Sequence, residues 1–446
     1  MNITQLRSVN QLQPVSSLPT ELLGYIFELA CRNVALSIDS ISKSVLMMRK
    51  TRNAISLTCF RWREAALSTS VLWRAITIMN MNDVRHLTDP DRFLAYIERA
   101  KYRKLVAFLC PPAGQTFWEE LQDHLLPVLS RCETIISSDP HIHTLSPAFT
   151  TTHWAALKSL VIKWGACRLV APHTINLTSA HSLESLWVLC SAGAMGPPGT
   201  LTFRVPSASA ITRLSLEGGY ICSLSLIRSC PQLKLLQWSS PLHYDPHDHM
   251  EPTKTESLPN LLQLSVRGEL PTWFMTRLAA PNLDHLVYTW EYSLRDTQSP
   301  FQNPSQFPNL RFLEVDGFPI SSVSMLLAPF LRTHEKLQRL HLPWCLTVER
   351  DLLEVLGSIS TLPNLEYIRM GDGPGFTAAE ALLEQRVPQN PVQDGQHEKA
   401  KKFTLHLRHG LPFSDDATRL TERFGDSVCC EWYISDSDPW SWPIEV

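Results

Sequence analysis

The sequence predicts an α/β protein, with a small helical module at the N-terminus and then a curved, irregular solenoid whose strands form a parallel concave sheet. Three observations carry this expectation. One phrase, L-x-x-L-x-φ with φ an apolar residue, returns nine times from residue 154 onward. Prolines stand at a fixed offset before many of these phrases. Far upstream, "SSLPTELLGYIFELA" (Ser16 to Ala30) forms a helix with more apolar surface than one neighbour can cover.

The repeats read "ALKSLVI", "SLESLWV", "AITRLSL", "QLKLLQW", "NLLQLSV", "NLDHLVY", "NLRFLEV", "KLQRLHL" and "NLEYIRM". Their first apolar residues are Leu157, Leu183, Ile211, Leu233, Leu261, Leu283, Leu310, Leu337 and Leu365, spaced 22 to 28 residues apart. Internal repeats of that period indicate stacked supersecondary units. The second half of each phrase alternates with period two, as a short strand with one buried face does. Pro231, Pro259, Pro281, Pro308 and Pro363 stand two residues before a first leucine, where they end the preceding element and favour an extended entry. Helical segments are expected between phrases, most clearly at Ser321 to His334 and Glu349 to Ser360. The pattern resembles the leucine-rich repeat over about half the chain, which implies one strand and one helix per repeat with the strands on the concave side. That family places asparagine or cysteine eight residues after the first leucine. Of the positions here, Gly165, Ser191, Gly219, Pro241, Glu269, Glu291, Phe318, Cys345 and Gly373, only Cys345 conforms, so no asparagine ladder is expected.

Ahead of the repeats, Pro19 suits the first turn of a helix and Glu21 its positive dipole end. Leu22, Ile26 and Leu29 share one face, and Leu23, Phe27 and Ala30 lie beside it. Together they span roughly 150–200°, wider than the ~100° stripe of a surface helix. A second amphipathic segment runs from Ala54 to Ile78, and a loop from Arg32 to Arg52 is expected between the two. Leu18-Pro19, Glu21-Leu22-Leu23, Ile26-Phe27, Cys59, Arg61-Trp62-Arg63, Ala66 and Leu72-Trp73 resemble the F-box over about 60 residues. The resemblance implies docking on the Skp adaptor of a cullin-RING ubiquitin ligase. It places Leu18, Pro19, Leu22, Leu23, Ile26, Phe27, Trp62, Leu72 and Trp73 in the docking surface and its supporting core. The sequence of F-box, an "IERAKYRKL" joint and loose repeats is similar to the large F-box families of mushroom-forming fungi.

The domain plan is a polar tail over 1–15, the helical module over 16–78, and a joint with degenerate first repeats over 79–153. The solenoid covers 154–376, and an irregular cap with a mobile loop near 388–401 covers 377–446. The chain has 446 residues, a formal net charge of −3 and eleven cysteines with no C-x-x-C pair. This gives no electrostatic case for nucleic-acid binding, no disulfide framework and no zinc finger. No run of 18 apolar residues suggests a membrane span, and the N-terminus has no secretory core, so cytosol or nucleus is expected.

For chemistry, "HYDPHDHME" gathers His243, Asp245, His247, Asp248, His249 and Glu251, all suitable metal ligands. A proline inside the segment and the lack of a helical H-E-x-x-H spacing favour a solvated loop. His141 and His143 form a weaker pair. "GAMGPPG" (Gly193 to Gly199) lacks the lysine of a phosphate loop, and vicinal Cys429-Cys430 fits a strand with one side chain in and one out. No cofactor or metal is expected. The outward strand positions, two, four and six after each first leucine, include Lys163, Trp187, Arg213, Glu217, Gln237, Gln263, Arg267, His285, Glu314, Asp316, Arg339, His341, Tyr367 and Arg369. Arginine and aromatic residues there suit a target-binding face. Trp164, Trp290 and Trp344, each seven after its leucine, would plug the strand-to-helix corners.

The expected function is that of a non-catalytic, substrate-recruiting subunit of an SCF-type (Skp–cullin–F-box) ubiquitin ligase. Its partners are the Skp adaptor, through it a cullin, and a target protein. The alternatives are a Skp-binding protein acting outside any ligase and, further off, a metal-dependent hydrolase using the His243–His249 cluster.

Overall fold

The computed structural model describes residues 18–32, 38–78, 90–109, 128–139, 153–164, 173–190, 201–206, 209–217, 223–239, 256–267, 275, 277–289, 301, 306–316, 327–342, 350–370, 376–387, 403–409 and 415–432. They form an α/β protein with an N-terminal helical part and long runs of parallel strands. The chain divides into two compact units, 1–211 with 220–230 and 443–446, and 212–219 with 231–442. No helix among the described residues is long and apolar enough to cross a membrane.

The first unit opens with α1 (Thr20–Arg32), α2 (Ile38–Thr58) and α3 (Phe60–Ser68), then a 3₁₀ turn, Ser70–Trp73. α2 corrects the expectation of a loop from Arg32 to Arg52. The stretch "LMMRKTRNA" is made mostly of unbranched side chains that lose little rotamer freedom in a helix. Its polarity hides a single buried seam through Met48 and Ile55. Leu23, Phe27 and Cys31 of α1 are buried with Ala65, Ala66 and Leu72, and the Phe27 and Trp62 rings meet at 5.2 Å. The Arg61 guanidinium donates to the Leu18 carbonyl, and the Trp73 indole N–H to that of Ala66 at 2.8 Å. Cys59 caps α3, its sulfur accepting the Trp62 N–H at 3.5 Å.

Strands β1 (Ala75–Ile78), β2 (Leu105–Leu109), β3 (Cys132–Asp139) and β4 (Ser159–Trp164) then lie side by side in parallel, with α4 (Pro90–Ala100) before β2. The joint is tied by Trp73, which has the Arg52 and Arg99 guanidinium groups 5.2 and 4.8 Å from its ring centre. Arg52 also donates to the Tyr96 hydroxyl at 2.8 Å, and that hydroxyl donates to the Ala75 carbonyl. The next strands are β5 (His173–Asn176), β6 (Ser185–Cys190) and β7 (Leu201–Arg204). β6 pairs with β4, whereas β5 and β7 pair only with each other in a separate parallel ribbon.

The second unit carries the parallel order β8 (Arg213–Glu217), β9 (Leu235–Ser239), β11 (Gln263–Arg267), β13 (His285–Thr289), β14 (Phe312–Asp316), β15 (Arg339–Leu342), β16 (Tyr367–Met370), β17 (Thr404–His409) and β18 (Val428–Trp432). A second two-stranded ribbon pairs β10 (Glu256–Ser257) with β12 (Leu278–Ala279). Helices α6 (Arg350–Gly357), α7 (Phe376–Arg386) and α8 (Asp415–Phe424) occupy its last repeats, and the shorter α5 (Ser223–Arg228) belongs to the first unit. The expected one strand and one helix per repeat therefore needs correction. Four return paths carry short strands, β5, β7, β10 and β12, and in the first two "HTINL" and "LTFRV" alternate with period two and bury Ile175, Leu177 and Phe203.

Each repeated phrase places its strand two residues after the first leucine, and residues 0, +3 and +5 are buried in every copy, from Leu157, Leu160 and Ile162 to Leu365, Ile368 and Met370. The turn before the strand explains the proline. Leu261, Leu283, Leu310 and Leu365 each donate their N–H to the carbonyl three residues back, at 3.0 to 3.2 Å, with proline second in the turn where its fixed φ fits. The asparagines of "PNL" form a ladder of their own. Asn260, Asn282 and Asn309 donate their side-chain amides to the carbonyls of Pro231, Pro259 and Pro281 in the preceding repeat, at 3.0, 2.8 and 2.8 Å. Asn364 does the same to Glu335 at 2.9 Å. This ladder stands one residue before the first leucine, whereas the nine positions eight residues after it lie outside the described residues.

Two buried polar side chains mark the later repeats. Arg386 donates to the carbonyls of Leu356, Ser358 and Leu362 at 2.6, 3.0 and 2.8 Å, closing the end of α6, and burial lowers its pKa to about 10. His334 stands where other repeats have Leu258, Ala280, Phe307 or Leu362, and stacks on Phe330 at 3.9 Å. Its Nδ1–H donates to the Phe330 carbonyl at 2.6 Å, while Nε2 is buried with no hydrogen-bond partner. Burial holds its pKa below the ordinary 6.5. The unfolded chain therefore takes up a proton that the folded chain refuses, and stability falls as the pH drops through about 6.5. His334→Leu is expected to remove that loss. Its thermal midpoint should gain on wild type between about pH 7 and about pH 5, and an unchanging gap would refute the assignment.

Candidate interaction surfaces

α1 has two apolar faces with different fates. Leu23, Phe27 and Cys31 are buried, whereas Leu22, Tyr25, Ile26 and Leu29, at the i, i+3, i+4, i+7 spacing of one stripe, are 50, 54, 44 and 41% exposed. Leu57 near the end of α2 and Phe60 at the start of α3 add exposed apolar side chains to the same module. Of the sequence-predicted residues, Pro19, Leu22 and Ile26 lie at the surface, and Leu18 and Trp62 are half-buried. Leu23, Phe27, Leu72 and Trp73 belong to the core beneath. Sequence reasoning missed Tyr25, whose i+3 spacing from Leu22 was the available signal.

In the first unit the outward strand face is covered. Phe108, Ile136, Val161 and Trp187 stand in register across β2, β3, β4 and β6, and form a buried cluster with Met48 of α2, Ala75 and Val106. Arg49 of α2 also reaches the Thr77 hydroxyl at 3.5 Å. Trp187, expected on the target-binding face, is 7% exposed, so that assignment is corrected: it is buried in the cluster with Val161, Ile136 and Phe108. Lys163 remains half-exposed.

In the second unit the outward positions form two lateral rows. One runs His285, Phe312, Arg339, Tyr367 and Thr404, and the other Val287, Glu314, His341, Arg369 and His406. The aromatic and imidazole rings make a continuous chain with centroids 5.2 Å (His285–Phe312), 4.7 Å (Phe312–His341), 5.5 Å (His341–Tyr367) and 6.2 Å (Tyr367–His406) apart. His341 Nδ1 lies 3.2 Å from a Glu314 carboxylate oxygen, and the Tyr367 hydroxyl lies 2.7 Å from His406 Nδ1. These contacts fix the strip, and Arg339 on one row projects to solvent while Arg369 on the other is half-exposed. Arg213, Glu217 and Arg267 are exposed on β8 and β11, whereas Asp316 is buried. His406 and Phe312 were missed. His406 belongs to a strand recognised outside the repeat, and Phe312 was passed over although it stands two residues after Leu310.

Among the described residues no three His, Cys, Asp or Glu side chains converge as a metal site would require. The His243–Glu251 cluster, His141 and His143, Gly193–Gly199, Trp290 and Trp344, the Trp164 side chain and the loop near 388–401 lie outside the described residues. Cys429 is exposed and Cys430 half-buried, with burial pushing the Cys430 thiol pKa up. No protein-family model matches the sequence, and no curated protein matches it.

Met48 seals the strand cluster from above. Met48→Ala is expected to cost about 2 kcal/mol of first-unit stability in urea unfolding, from lost burial and the cavity left behind. A change below about 0.5 kcal/mol, the size of an ordinary surface substitution, would mean that Met48 is not part of the buried cluster.

Proposed function

We propose that this chain is the substrate-recruiting subunit of an SCF-type ubiquitin ligase. Its N-terminal helices dock on the Skp adaptor, and through it on a cullin. A leucine-rich-repeat-like solenoid presents the target-binding face, and catalysis belongs to other subunits. Such a role is played in the cytosol or nucleus. The observation that carries the reading is the stripe Leu22–Tyr25–Ile26–Leu29, an exposed apolar face on a helix whose other apolar face is already used by its own core. A face of this kind is rare on a lone chain and marks a protein contact. The residues that support it, Phe27 against Trp62 and Arg61 on the Leu18 carbonyl, are those through which the sequence resembles the F-box. The target face is assigned to the ring-lined strip of β13 to β17, where His285, Glu314, Arg339, His341, Tyr367 and Arg369 stand together.

Co-expression with the Skp adaptor tests the docking surface. Leu22→Asp/Ile26→Asp should abolish the stable complex, because two uncompensated charges in an apolar interface cost several kcal/mol, at least about a hundredfold in affinity. Both positions are exposed, so the variant should keep the wild-type circular dichroism. A folded wild type that captures no adaptor would refute the ligase reading. Capture of the adaptor without a cullin would place the chain outside a ligase.

A further inference from the structure

The edge at which the first strands begin carries cations that the docking stripe and the ring-lined strip do not use. After α4 the chain turns sharply through Lys101, whose φ of 51° is the one left-handed value at a non-glycine residue among those described. Glycine is the residue this position favours, so a lysine here is held at a local cost. The turn is closed by the Lys101 N–H on the Glu98 carbonyl at 3.0 Å and the Arg103 N–H on that of Ala100 at 3.1 Å. It presents Lys101, Arg103 and Lys104 to solvent with Tyr102, 87% exposed, among them.

Neighbouring strand starts extend the same edge. The Arg74 carbonyl accepts the Val106 N–H at 2.9 Å, that of Arg131 the Leu105 N–H at 3.2 Å, and that of Glu133 the Lys158 N–H at 2.8 Å. Arg74, Lys104, Arg131 and Lys158 therefore stand in line at the starts of β1 to β4. The Arg131 guanidinium donates to the Lys101 carbonyl, and Arg103 Nε to the Ser70 hydroxyl at 3.4 Å. Among the described residues, Glu98 precedes the turn and Glu133 and Glu184 stand at the strand starts. Glu133 is flanked by Lys158 at 3.2 Å and Lys104 at 4.0 Å, and Glu184 acts on Lys158. Counted with Lys101 and Arg103, six cations, of which Arg74 is half-buried, stand with three carboxylates among the described residues, in a chain whose formal net charge is −3.

We infer that this edge docks an acidic, extended segment of a partner protein. Three inter-strand spacings make about 15 Å, the reach of about five residues of extended chain. Carboxylates on one side of such a segment meet successive strand starts, and Tyr102 offers an aromatic contact beside them. A nucleic acid fits less well, because Glu133 and Glu184 interrupt the row and the chain's pI of 6.6 lacks the basic footprint of a phosphate binder. An anionic bilayer would need a broad apolar face beside the charges, and among the described residues of the turn Tyr102 is the one exposed large apolar side chain. The inference does not depend on what α1 binds.

The test is fluorescence anisotropy on the full chain, with a labelled glutamate-rich peptide of about ten residues at low salt. Saturable binding is expected, with Lys101→Glu/Arg103→Glu/Lys104→Glu weakening it at least about tenfold at unchanged circular dichroism. Lys101→Gly should raise the thermal midpoint, by relieving the left-handed backbone, while weakening the peptide about twofold through the lost charge. Several results would overturn the inference: no saturable binding, equal affinity in the triple variant, or tighter binding to single-stranded DNA of the same charge or to phosphatidylserine vesicles.

Discussion

Everything in the strand-bearing part of this chain depends on how each strand is entered. A four-residue turn sets the direction of the strand and buries its first leucine, and in the four repeats that read x-Pro-Asn-Leu it hands an asparagine amide back to the repeat before it. Two residues later the strand begins, and its period of two puts +3 and +5 into the core and +2, +4 and +6 on the opposite side. Slipping one residue would exchange the two faces, so the turn and the buried leucines together fix which side chains the molecule can offer. The two units use the free face differently. In the first it is a buried cluster that Met48 of α2 joins, and in the second it is a strip of rings in which Phe312 and His406 are buried and Arg339 is exposed.

The two most informative surfaces differ in chemistry. The α1 stripe is apolar and flat in composition, suited to a partner that brings its own hydrophobic groove. The strip of β13 to β17 is held by ring contacts and by the Glu314–His341 and Tyr367–His406 hydrogen bonds, which fix its side chains before any ligand arrives. Aromatic side chains held in place lose little entropy on binding, so a pre-arranged strip of this kind favours selective contact.

Much of this was legible in the sequence, and the reasons for the rest are physical. The nine phrases located their strands because a buried strand must alternate, and no other element places apolar residues at 0, +3 and +5 before a turn. The exposed stripe of α1 was legible as surplus apolar surface. α2 was not, because only Met48 and Ile55 of its described side chains are buried and its long polar side chains look like a loop by pattern. Trp187 misled because its position gives the side of the sheet, but not whether that side is buried. The return strands β5 and β7 are four residues each, too short for periodicity to separate them from a turn. The asparagine ladder was in view as "PNL", yet the familiar position for it was eight residues past the leucine, and a hydrogen bond to the previous repeat leaves no mark in a single repeat.

Amide hydrogen exchange on the full chain, alone and with the Skp adaptor, tests the central division between the proposed docking helix and the proposed target face. Added protection is expected in peptides covering Leu22 to Leu29 and the start of α3, with β13 to β16 exchanging as in the free chain. Protection that falls on those strands instead, with α1 unchanged, would contradict the account.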